Sequence, residues 1–172
     1  MRKAAEESKM TEEKYRRMFA FLDEHGALKE LVILANSWIT MITYMAYPLM
    51  LIRLFIDEDE RIIKMMAIPF AGFLIVTVAR KIIRAERPYE KFDITPLIEK
   101  NSKGNSFPSR HVSCIFIIAT CFLDISIPVG VLFFALGTFL AAARVASGVH
   151  FPRDVIAGAV AGTIVGLVFY IV

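Results

Sequence analysis

Long apolar runs separated by short charged breaks set the pattern of this chain. Leu31 to Ile56 is the first run of membrane length, closed by Asp57-Glu58-Asp59-Glu60. Ile62 to about Ile83 is the second, with basic residues entering only near its end. Pro108 to Ile125 is a third and shorter run, and Pro128 to about Val145 is a fourth, rich in Ala and Gly. Asp154 to Val172 is the fifth and carries Gly158, Gly162 and Gly166 at four-residue steps. A helix needs about 20 apolar residues to cross a core of roughly 30 Å, so the last three runs read as short, marginal spans. The glycine steps form a small-residue ridge of the kind that lets membrane helices approach closely, and packing is its expected role.

Ahead of these runs, residues 1–30 are charged, with no apolar stretch long enough for a signal peptide and no small-residue cleavage pattern. Met10 to Glu30 is patterned as an amphipathic helix. Thr11 with Glu12 and Glu13 forms its expected start, and Met18, Phe19, Phe21 and Leu22 gather toward one side. His25 and Gly26 are its expected break. The predicted organisation is an amphipathic helix on the membrane surface over residues 1–30 and a membrane domain over 31–172. The fold class is all-α, a polytopic bundle of about five transmembrane helices.

Composition supports the bilayer. The chain has 172 residues, 56% of them apolar, and a mean hydropathy of +0.57. A soluble domain of this size could not bury so much apolar surface. The net charge of +3 is too mild for a nucleic-acid binder. Cys114 and Cys121 would lie about 10.5 Å apart on one helix, too far for a disulfide, and lack the partners of a zinc site.

Five crossings place the N-terminus, the 84–108 loop and the 145–153 loop on one face, and the two remaining turns and the C-terminus on the other. Ionisable residues at the lip of membrane helices default to a functional reading, and here they gather on the first face. Arg80 and Arg87 are expected two turns apart on one side of the second helix, which Pro88 ends. Ser109, Arg110 and His111 open the third helix, Arg144 closes the fourth, and His150 and Asp154 flank the entry to the fifth. Guanidinium groups bind phosphate oxygens bidentately, and a helix start adds free backbone N–H groups. Two histidines can divide the work of nucleophile and general acid, with a carboxylate orienting one ring. Lys81, Arg84 and Arg153 read as cations reaching the interface.

Arg80-x6-Arg87-Pro88, then Pro108-Ser109-Arg110-His111, then Arg144-x5-His150-x3-Asp154 resembles the type-2 phosphatidic acid phosphatase family. That family shares its site with vanadium haloperoxidases and bacterial acid phosphatases. Its usual pattern is Lys-x6-Arg-Pro, Pro-Ser-Gly-His and Ser-Arg-x5-His-x3-Asp. The resemblance implies His150 as the nucleophile that becomes a phosphohistidine, Asp154 as its paired carboxylate and His111 as the general acid. It implies Arg80, Arg87, Ser109, Arg144 and the backbone at Arg110 as the phosphate cradle. It further implies no metal and no cofactor, a phosphorylated lipid as substrate and the bilayer as partner, in a bacterial plasma membrane. Three positions depart from the pattern: Arg80 replaces Lys, Arg110 replaces Gly, and Ala143 replaces the Ser before Arg144.

The reading that follows is an integral-membrane lipid phosphatase acting on phosphatidylglycerophosphate or phosphatidic acid. The alternatives are an undecaprenyl diphosphate phosphatase with an outward mouth, a small anion transporter, and vanadate-dependent oxidation at the same motif. Transport sites lie near the midplane, whereas these charges lie at one lip. Of the 20 Lys and Arg, only Arg53, Arg61 and Lys64 fall on the opposite face. The positive-inside rule therefore predicts a cytoplasmic mouth. Spacing decides neither the head group nor the oligomeric state.

Overall fold

A computed structural model describes residues 2–92, 94–98 and 103–171. The described residues form α1 (Arg2–Glu24), α2 (Gly26–Ile56), α3 (Ile62–Ile83), the short α4 (Pro88–Lys91), α5 (Arg110–Ile125), α6 (Ile127–Ala146) and α7 (Pro152–Leu167). A 3-10 turn, Val168–Tyr170, extends α7, and no strand occurs among the described residues. The all-α bundle is the expected one. Helix α2, the stretch Ile62–Lys91 that contains α3, and helix α6 are long and apolar enough to cross a membrane by length and composition. The fourth run is thus longer than its expected bounds. Helices α5 and α7 have 16 residues each, about 24 Å of rise.

Helix α5 is the axis of the bundle and packs against α2, α3, α6 and α7. Its buried residues, from Val112 and Ser113 to Phe122, surround the helix rather than form one stripe. In contrast, α2 and α3 bury a narrow stripe each and turn Leu49, Phe55, Ile63 and Phe70 outward. A helix with apolar side chains on its outer face is solvated by lipid rather than by water.

The glycine ridge of α7 lies on α5. A Cβ at Gly158 would come within 2.7 Å of the Ser109 carbonyl, and one at Gly166 within 2.6 Å of the Thr120 Cβ. At Gly162 it would collide with the Ser113 carbonyl. The same contact draws the first turns of α5 and α7 together, and the Ser109 amide donates to the Asp154 carbonyl at 2.8 Å. Packing therefore fixes where the chemistry sits.

Two expectations need correction. Helix α1 begins at Arg2, so Thr11 lies inside it, and it ends at Glu24. Gly26 to Glu30 belongs to the first long helix, with the break falling at His25. On α1, Tyr15 and Leu22 are buried, whereas Phe21 is exposed and stacks on His25 at 4.2 Å between centroids. The second correction concerns Arg87, which is not on α3. That helix stops at Ile83, where Arg84 takes a left-handed conformation (φ 49°), and Arg87 is extended as the residue before Pro88. Proline disfavours a helical conformation in the residue before it, so the chain leaves the helix ahead of Pro88.

Candidate active site

The three motif segments meet at one end of the bundle. Arg80, Arg87, Arg110, His111 and His150 line one cavity of about 210 Å³. Asp154, Ser109 and Arg144 lie behind its wall, each essentially buried.

Arg80 and Arg87 are braced on backbone carbonyls. Arg80 Nη1 donates to the carbonyl of Pro108 at 2.6 Å and more weakly to that of Ser106 at 3.4 Å. Arg87 Nε donates to Gly104 and Nη1 to Val149, at 3.3 and 3.2 Å. A guanidinium has five donors in a fixed fork, so carbonyls on one edge orient it while other N–H groups stay available. Glu90 organises this corner, accepting from the Arg87 amide at 2.9 Å and the Gly104 amide at 2.7 Å. Among the buried polar atoms, Ser109 Oγ and Arg144 Nε have no hydrogen-bond partner. Arg144 Nη2 reaches Thr40 Oγ1 at 3.5 Å. Orphaned buried donors are costly, and an anion drawn against this wall would satisfy them.

His150 and Asp154 share a buried array with Ser106. Asp154 is 0% exposed and His150 2%. Ser106 Oγ donates to Asp154 Oδ2 at 2.5 Å and lies 3.3 Å from His150 Nδ1. His150 Nδ1 is 3.5 Å from the same carboxylate oxygen, which also accepts from the Phe151 amide at 3.0 Å. The carboxylate on the Nδ1 side selects the tautomer with its proton there, leaving the Nε2 lone pair on the opposite side of the ring. Burial holds the His150 imidazole down at about 4. Asp154 pulls it upward, and Arg87 and Arg144 oppose its charge. The ring is therefore neutral at physiological pH, as a nucleophile must be.

Four contributors escaped sequence reasoning. Ser106 and Glu90 act through contacts 48 and 14 residues away. Lys81, read as an interfacial cation, lines the cavity. Tyr15 of α1 donates to the backbone carbonyl of His150 at 3.0 Å. The position of Ser106, two residues before Pro108 of the second motif, was the one available signal. Among the described residues, no group of His, Cys, Asp and Glu side chains could hold a metal ion.

A family model described as the PAP2 superfamily matches residues 61–172, which include every motif residue above. The chain belongs to the PAP2 superfamily. As a PAP2 protein it is an integral-membrane hydrolase, a phosphatase of the metal-independent lipid-phosphatase type. It is 28% identical over 155 residues to the bacitracin transport permease protein BcrC of Bacillus licheniformis, covering 87% of this chain and 75% of that one. The crystal structure of Aquifex aeolicus LpxE superposes with a TM-score of 0.67 at 25% identity, covering 85% of this chain and 94% of that one. A PAP2-type phosphatidylglycerolphosphate phosphatase from Bacillus subtilis shares the fold, with a TM-score of 0.60 at 22% identity over 91% of this chain and 90% of that one.

Proposed function

We propose that this PAP2 protein hydrolyses a lipid phosphomonoester or diphosphate through a phosphohistidine on His150. The observation that carries this reading is the buried imidazole, with Asp154 and Ser106 on its Nδ1 side, on the wall of a cavity lined by guanidinium groups. Arg80, Arg87 and the backbone at Arg110 hold the phosphoryl oxygens, with Ser109 and Arg144 closing behind them. The Nε2 lone pair forms the N–P bond as the P–O bond to the leaving group breaks. Its electron pair goes to the leaving oxygen, which takes a proton from His111. Water then attacks the phosphohistidine, giving its proton to His111 and releasing inorganic phosphate. Asp154 orients the ring and offsets the charge that develops on it.

The lipid tail has a place to go. An apolar groove of about 370 Å³ runs between α2 and α3, lined by Tyr44, Tyr47, Pro48, Phe70, Phe73 and Cys114. Phe73 and Cys114 of this groove each lie one helical turn from Thr77 and Arg110 of the polar cavity. With the mouth on the cytoplasmic side, as the charge bias suggests, phosphatidylglycerophosphate and phosphatidic acid are within reach. With the mouth outward, an isoprenoid diphosphate such as undecaprenyl diphosphate takes their place.

The test is phosphate release by the purified full chain in mixed micelles from each of these three lipids, with EDTA present. Release from at least one is expected, since no step above needs a metal to supply charge. A strict Mg²⁺ requirement, or no release from any of them, would contradict the reading.

A further inference from the structure

The cavity holds more positive charge than one phosphoryl group requires. Arg80, Lys81, Arg87 and Arg110 all line it, and no carboxylate does so among the described lining residues. Arg80 and Arg87, with Arg144 behind them, already suffice for a phosphomonoester of charge −2 at most. Lys81 and Arg110 are in excess.

Arg110 sits where the polar cavity gives way to the apolar groove. Its guanidinium lies over the ring of Phe73, 5.2 Å from the centroid. Phe73 lines the groove, whereas Arg110 lines the cavity. Stacking on a ring holds a guanidinium without consuming its N–H donors, so they stay available to a ligand. Four residues past Phe73, on the same face of α3, is Thr77, which also lines the cavity.

Thr77 behaves unlike the other threonines of the bundle helices. Thr40, Thr43, Thr120, Thr138 and Thr163 each return the hydroxyl to the carbonyl four residues earlier, at 2.8–2.9 Å. Thr77 Oγ1 is shielded from solvent and makes no hydrogen bond. That return bond is the default for a threonine in an apolar helix. Thr77 lines the cationic cavity, and a hydroxyl that forgoes the return bond keeps an unspent donor that a turn about χ1 brings toward an anion there.

We infer that Arg110, Thr77 and Lys81 form a second phosphate subsite on the leaving-group side of the transferred phosphoryl. The substrate would then carry a second phosphate between its scissile phosphoryl and its tail. The inference rests on the phosphatase reading above and narrows its substrate class. With the first phosphoryl at His150 and the tail along Phe73 and Cys114, whatever joins them must pass Arg110 and Thr77. Two lipid chemistries supply a phosphate there: a diphosphate, linked directly, and phosphatidylglycerophosphate, linked through glycerol. Phosphatidic acid supplies none. A directly linked diphosphate leaves as a lipid monophosphate, whose terminal oxygen already carries the electron pair released by P–O cleavage.

The test compares kcat/KM for farnesyl diphosphate, phosphatidylglycerophosphate and phosphatidic acid in wild type, Arg110→Gly, Arg110→Lys and Thr77→Val. In wild type at least one two-phosphate lipid should exceed phosphatidic acid. Its ratio to phosphatidic acid should fall about tenfold or more in Arg110→Gly and several-fold in the near-isosteric Thr77→Val. Arg110→Lys should recover part of the ratio. A fall confined to the diphosphate, or to phosphatidylglycerophosphate, identifies which linkage the subsite fits. Ratios unchanged in both variants, or a wild type that prefers phosphatidic acid, would overturn the subsite while the phosphatase reading stands. Absence of phosphate release from all three lipids in wild type would overturn both.

Discussion

The phenol of Tyr15 donates to the backbone carbonyl of His150 at 3.0 Å, across 135 residues of sequence. Tyr15 is held in place by Phe92 and Phe151, with ring centroids 6.1 Å from its own in both cases. One turn further along α1, the Phe19 ring covers Gly148, whose φ of +74° and lack of Cβ both suit a glycine. The loop that carries His150, the proposed nucleophile, is thus clamped from behind by α1, outside the stretch that matches the family model.

This clamp should be visible in kinetics. Tyr15→Phe keeps the ring packing and removes the hydrogen bond, worth about 0.5–1.5 kcal/mol. The expected result is a fall in kcat of roughly two- to tenfold with KM unchanged. A rise in KM with kcat intact would place Tyr15 on the substrate side instead.

The glycines separate packing from tolerance. Gly158→Ala places a methyl 2.7 Å from the Ser109 carbonyl, a backbone atom that cannot swing aside. It should destabilise the protein by about 1–3 kcal/mol and lower activity as well, because Ser109 and Asp154 are held together by the same contact. Gly26→Ala meets nothing within 4 Å and should leave melting temperature and activity unchanged or slightly raised. Thermal unfolding in detergent, with activity measured in parallel, checks both.

Much of this arrangement was legible because its signals are local. The second apolar run ends where α3 ends, at Ile83, and the three motifs place their charges at one lip of the bundle. What escaped prediction depends on long-range contact or on one backbone angle. Arg87 reaches the cavity from an extended segment because Arg84 turns left-handed, which the periodicity of the run does not encode. Ser106, Glu90 and Tyr15 are recognisable only once the chain has brought Asp154, Gly104 and His150 against them. Lys81 is exposed, like any interfacial lysine, and only the shape of the cavity gives it a second role.

Stability should respond to acid through His150. Its folded pKa, about 4, lies below the ordinary value of 6.5, so the folded state resists a proton that the unfolded chain accepts. The stabilising contribution is complete above about pH 6.5 and is lost as pH falls toward 4. Wild-type melting temperature should therefore drop more steeply between pH 6.5 and 4 than that of His150→Asn. Parallel curves for the two proteins would contradict the assigned burial.

Membrane orientation is open to chemical labelling. Lys103 is exposed on the loop between α4 and α5, on the same face as the cavity. In a background lacking Cys114 and Cys121, Lys103→Cys should resist an impermeant thiol reagent in intact cells and react once the cells are opened. Ready labelling from outside would place the mouth on the outer face and bring isoprenoid diphosphates into reach.

The most direct test of the mechanism is rapid-quench capture of the phosphoenzyme from a substrate labelled in its scissile phosphoryl group. Wild type should yield an acid-labile, base-stable phosphohistidine that maps to His150 and forms no more slowly than turnover. His150→Ala should yield none with any substrate. His111→Ala should still form it from an activated ester such as a nitrophenyl phosphate, whose leaving group needs no proton. Label retained in His150→Ala, or mapped to His111 in wild type, would contradict the assignment of His150 as the nucleophile.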